Sequence, residues 1–83
     1  MKIEFHPHAK ERMAERGASE AEVIATIQGG ETFSAKFDRI GYRRNFSTDF
    51  LWRGKNYQNK QVEVYAVEER GILLILTVTV KYF

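Results

Sequence analysis

The residues best able to move a proton or hold an anion fall into three groups. His8, Arg12 and Arg16 stand four residues apart, so on a helix they share one stripe. A histidine exchanges a proton near neutral pH, and two guanidiniums behind it can hold a phosphate or an acidic partner. The second group is the stretch from residue 36 to residue 60, where seven Lys or Arg stand against Asp38 and Asp49. Arg43, Arg44, Arg53 and Lys60 belong to it, interleaved with Tyr42, Phe46, Phe50, Trp52 and Tyr57. Cations alternating with rings suit a surface that neutralises phosphates and stacks bases. The third group is Glu63 with Lys81, a carboxylate able to move a proton and a cation that strand alternation sends to the same sheet face.

Each group also has a purely structural reading. A histidine at a helix start can bond a neighbouring backbone group, and both arginines can pair with Glu11, Glu15 or the sheet. The basic stretch could be a hairpin whose charges face water and whose rings face the core. Tyr82 and Phe83 could close that core.

Other chemistries find no foothold. The chain has no cysteine, hence no disulfide framework and no thiolate zinc site. His6-Pro7-His8 lacks the third and fourth ligands of a stable metal site. Gly29-Gly30 follows a helical pattern, whereas a phosphate loop precedes one. Neither a metal nor another cofactor is therefore expected.

The elements that must position these residues are legible from local signals. Pro7 opens a helix that runs through His8 to Arg16 and stops at Gly17. Ser19 with Glu22 forms a capping-box pattern, and Val23, Ile24 and Ile27 make an apolar stripe that ends at Gly29 and Gly30. Beyond Gly30 the period changes to alternation, with turn residues at 38–41, 53–56 and 69–71. Strands are predicted over Thr32–Phe37, an edge, and over Tyr42–Arg53, with a break near Ser47-Thr48-Asp49. Two more cover Tyr57–Glu68 and Ile72–Phe83. The expected fold is α+β: two N-terminal helices packed on one face of an antiparallel sheet of about four strands, in a single domain over 1–83. At 83 residues, with 43% hydrophobic and 29% charged residues, there is room for one core. The uncovered sheet face would then carry Arg43, Glu63, Thr77, Thr79 and Lys81 as a shallow polar floor.

Met1 to Phe5 is charged and short, unlike a signal peptide, and Ile72 to Val80 is too short to span a bilayer as a helix. A cytoplasmic location without membrane contact is expected.

Two stretches together resemble a known bacterial family. The first runs from His6-Pro7-His8-Ala9 through Glu11-Arg12-Met13 and Glu15-Arg16-Gly17 to Ser19 and Glu22-Val23. The second comprises Arg43-Arg44-Asn45-Phe46, Leu51-Trp52-Arg53-Gly54-Lys55, Lys60, Val62-Glu63-Val64-Tyr65 and the ending Leu76 to Phe83. Both resemble the family called domain of unknown function 4258, which is similar in fold to BrnT and RelE-type toxins. Those are metal-independent ribonucleases, usually encoded beside an antitoxin, in which a curved antiparallel sheet presents basic residues to RNA. The resemblance implies RNA cleavage by attack of the ribose 2′-oxygen on the adjacent phosphate. It would make Arg43, Arg53 and Lys60 cations for the developing charge, His8 or Glu63 the base, and Lys81 and Tyr82 the functional residues of the last strand. RNA, free or on the ribosome, and a cognate antitoxin are the implied partners, and homodimerisation is compatible with this reading. The competing expectation is a binding module, for nucleic acid or protein, that performs no chemistry.

Overall fold

In the computed structural model, which describes residues 1–83, the chain opens with a strand, β1 (Lys2–Phe5), that the alternation did not reveal. The ladder it starts ends at Pro7, which has no N–H to give and has the φ a helix requires. Helix α1 follows over Pro7–Arg16, its first turn capped by His6, whose Nδ1 accepts from the His8 N–H at 3.0 Å. Gly17 closes α1 in the left-handed region (φ 78°) and donates to the Met13 carbonyl. Helix α2 (Glu20–Gly29) has the expected capping box, with Ser19 and Glu22 bonded reciprocally.

Four more strands follow: β2 (Glu31–Ser34), β3 (Ile40–Trp52), β4 (Lys55–Glu69) and β5 (Ile72–Tyr82). The two-residue turns Arg53-Gly54 and Arg70-Gly71 are left-handed at both positions, the twist that lets neighbouring strands pair directly. The sheet order is β1-β5-β4-β3-β2. The expected four-stranded antiparallel sheet is thus corrected to a mixed one of five strands, because β1 joins β5 in parallel, Lys2 opposite Ile72 and Phe5 opposite Ile75. The strand predicted from Thr32 is, as expected, an edge.

Both helices lie on one face. Val62, Val64 and Ala66 of β4 and Leu73, Ile75 and Val78 of β5 pack there against Ala9 and Met13 of α1, Ala18, and Val23 of α2. Burial of these side chains removes apolar surface from water at roughly 25 cal/mol per Å². Two irregularities adjust the ladders. One falls between Ser47 and Phe50, where the sequence suggested a break, and the other leaves Leu76 without a partner opposite the Tyr65–Ala66 step. No helix is long and apolar enough to cross a membrane.

Candidate functional site

The sheet's uncovered face is built from residues of opposite parity to the core. Arg43, Glu63 and Thr79 face one another across β3, β4 and β5, with Glu31 of β2 at the end of the row. The next row is Phe33, Gly41, Tyr65 and Thr77. Asn45, Gln61 and Lys81 form the third. Glu63 is the node. Its carboxylate is ion-paired with the Arg43 Nε and accepts from the Tyr65 hydroxyl at 3.1 Å and the Thr79 hydroxyl at 3.4 Å. Burial pushes its pKa up, but the bonds from Arg43 and Tyr65 and the Arg43 charge outweigh this and hold it below the usual carboxylate range. Tyr65 moves the other way, raised by burial and then by its bond to Glu63. Glu63 is therefore a charged anchor with its lone pairs engaged, which is a poor state for a proton acceptor.

A groove opens beside this row. Beyond Ile75 the outer edge of β5 is no longer paired with β1, and α1 runs along it, with the Arg16 guanidinium donating to the Val78 carbonyl at 2.7 Å. The stripe His8, Arg12, Arg16 lines a groove of about 520 Å³ together with His6, Arg39, Leu76, Thr77 and Thr79. Two imidazoles and three guanidiniums thus meet the hydroxyls of the uncovered face. Arg12 has Glu15 at 2.9 Å, an exposed pair weak enough to exchange for a phosphate. Arg16 keeps further N–H donors beyond the one on Val78. Since Nδ1 of His6 accepts a backbone N–H, its neutral form carries the proton on Nε2.

Several expected site residues lie on the opposite, helix-covered side. Lys60 shares parity with Val62 and Val64 and is only 4% exposed. Its ammonium donates to the Gly17 carbonyl and to Glu22 Oε1 at 2.8 Å. Glu22 is held below the usual carboxylate range: burial raises it, and the bonds from Lys60 and Ser19 more than offset that. Tyr82, opposite Lys60, donates to the Arg16 carbonyl at 2.9 Å and stacks on Trp52, ring centroids 5.2 Å apart. Phe50 and Tyr57 complete this aromatic cluster. Lys60 and Tyr82 therefore both hold the end of α1, where free carbonyls favour donors and positive charge. Arg44 likewise donates to the Ala25 carbonyl at 3.1 Å, near the end of α2. Arg53 lies over Trp52 and reaches the Glu15 carbonyl at 3.5 Å, a marginal distance.

The structure therefore divides the expected residues into two sets. His8, Arg12 and Arg16 meet Thr79, which touches Glu63 and through it Arg43. Lys60, Tyr82, Arg44 and Arg53 attach to the helices, and Lys81 stands exposed on the third row of the uncovered face, beside Phe83. The sheet thus lies between Lys60 and the Arg43–Lys81 surface. Residues the sequence did not single out as functional are His6, Arg39, Tyr65 and Phe33. Tyr65 left a signal, an aromatic on the polar parity of β4, and Arg39 belongs to the basic stretch from 36 to 60. Arg39 arrives from the β2–β3 loop, whose direction no periodicity reports. No group of three or more His, Asp or Glu side chains is placed to hold a metal ion.

Neither the curated proteins nor the solved structures contain a match to the chain. One family model does match, over residues 5–80, which takes in β1's last residue, both helices and nearly all of the sheet. The chain belongs to the family described as domain of unknown function DUF4258.

Proposed function

We propose that this protein binds RNA in the groove between α1 and β5 and cleaves it as a toxin-like, metal-independent ribonuclease, in keeping with its resemblance to the BrnT and RelE type. The observation that carries this reading is the meeting of His6 and His8 with Arg12, Arg16 and Arg39 in one groove. Guanidiniums match phosphate oxygens in a planar fork and stabilise charge as it develops on them. His8 would take the proton from the ribose 2′-hydroxyl. The 2′-oxygen then attacks the adjacent phosphorus, the bond to the 5′-oxygen breaks, and a 2′,3′-cyclic phosphate forms. The departing 5′-oxygen takes a proton from water in the open groove, since the His6 Nδ1 is held as an acceptor by the His8 N–H. In this scheme Glu63 holds Arg43, and Lys60 and Tyr82 keep α1 in place.

Incubation of the purified protein with RNA, alone and on ribosomes, tests this. Cyclic-phosphate ends lost in His8→Ala, with folding and binding kept, are the expected result; intact RNA in both settings would overturn the catalytic part.

A second reading, binding without cleavage, is favoured by one observation: two of the four residues expected to act, Glu63 and Tyr82, are both engaged in structural bonds. It requires affinity that falls steeply with salt while RNA stays whole.

A further inference from the structure

Beside the cationic groove lies a half-apolar hollow of about 500 Å³ that shares Arg39 and Thr77 with it. Its walls are aromatic. Phe33 crosses the uncovered face over Gly41, where any side chain would collide with its ring. Tyr65 meets Phe33 edge to face, centroids 6.0 Å apart, and the Arg43 guanidinium covers Phe33 at 4.7 Å. The fourth component is Phe37 in the β2–β3 loop, 83% exposed. Its backbone sits in the left-handed region (φ 62°), as does that of Asp38 (φ 57°). A bulky residue held there costs on the order of 1–3 kcal/mol and persists only where the surroundings impose it. Here the loop is closed by the Ala35 N–H on the Arg39 carbonyl at 2.9 Å. An exposed aromatic in a disfavoured conformation, with Arg39 at 5.8 Å from its ring, contributes nothing to the core.

We infer that the Phe33–Phe37–Tyr65 hollow is a subsite for one unpaired nucleobase of a single-stranded RNA whose adjoining phosphate lies in the α1–β5 groove. This rests on the reading of the groove as a phosphate site and adds to it the substrate class: the strand must be single, because the base has to leave its stack to enter. The shared Arg39 and Thr77 are the physical link, since a nucleotide carries its base and its phosphate on one sugar. Every base has a π-face, so rings and guanidiniums accept it with little regard to sequence. A protein side chain in the same hollow would not need the adjacent cations.

The test uses a noncleavable 2′-O-methyl hexanucleotide and an abasic backbone of equal length, each titrated against the wild type, Phe37→Ala and Phe37→Trp by fluorescence anisotropy. Exposure of Phe37 leaves the fold of the variants intact, which thermal melting verifies. Phe37→Ala is expected to weaken the hexanucleotide about 5- to 160-fold, the range for losing one stacked base, to leave the abasic backbone unchanged, and to be rescued by Phe37→Trp. Equal loss for both probes, or loss for neither, overturns the subsite, including the case in which Phe37 serves a protein partner. A wild type that binds both probes equally keeps the phosphate groove and removes the base site. A wild type that binds neither removes the groove itself, and the base site with it.

Discussion

Replacing Lys60 by Met separates the two roles this residue could have. The substitution keeps an unbranched stem of similar volume and removes only the ammonium. What is lost is a charge-assisted bond to the Gly17 carbonyl and another to Glu22 Oε1 at 2.8 Å. Removing one partner from a buried pair costs about 3–5 kcal/mol when the other charge is stranded. The Glu22 side chain is 21% exposed and can recover some hydration, so a loss of about 2–3 kcal/mol is the better figure. In a domain of this size each kcal/mol shifts Tm by roughly 4–8 °C, giving a fall of about 8–24 °C. Glu22→Gln in the same background removes the stranded charge while keeping a cap acceptor for Ser19. The double variant should therefore lose about 1–2 kcal/mol less than the sum of the single ones. Urea and thermal unfolding at pH 7 measure both. The reasoning fails if Lys60→Met melts with the wild type while its affinity for an RNA oligonucleotide collapses, for then the ammonium would be serving the ligand and not the end of α1.

Arg12→Ala and Arg39→Ala should each weaken oligonucleotide binding across all sequences and lower the slope of log affinity on log salt by about 0.7 per lost phosphate contact; an unchanged slope would remove them from the groove's phosphate contacts. Gly17→Ala should destabilise by about 1–3 kcal/mol, through a left-handed non-glycine residue whose Cβ would stand 2.6 Å from both the Trp52 ring and the Tyr82 hydroxyl; a wild-type Tm would contradict the packing of that corner. Glu22 and Glu63 both titrate below their ordinary value of 4.5 when folded, so the unfolded chain binds protons first as the pH drops. Their contribution to stability is complete above about 4.5 and lost as pH falls through the lower folded values. Melting temperature against pH should be level near neutrality and fall in acid, and Glu22→Gln should shallow that fall; an identical acid limb would show that Glu22 carries none of it.

Pro7, Gly17 and the Ser19–Glu22 box place both helices, because caps and breakers act on the backbone within one turn. Arg53-Gly54 and Arg70-Gly71 place the hairpins for the same reason. β1 stayed hidden because it is four residues long and its partner lies about seventy positions away, a pairing that leaves no local trace. Lys60 and Tyr82 are instructive in another way. Their parity with Val62, Val64, Val78 and Val80 put them on the core side, yet the family resemblance implied a role for both on RNA. Parity reports the face correctly here, since a side chain cannot change sides of a sheet without a register shift.

By itself, then, the amino-acid sequence determined the helices, their ends, the hairpins and the two faces of the β3–β5 ladder, because those follow from dihedral preferences and alternation a few residues long. Tertiary structure alone decided that α1 overhangs the free edge of β5, that His8, Arg12 and Arg16 meet Arg39 and Thr79 there, and that Lys60 ends on the Gly17 carbonyl. Each of those contacts joins segments far apart in the chain, and their relative placement depends on how whole elements pack rather than on any neighbouring residue.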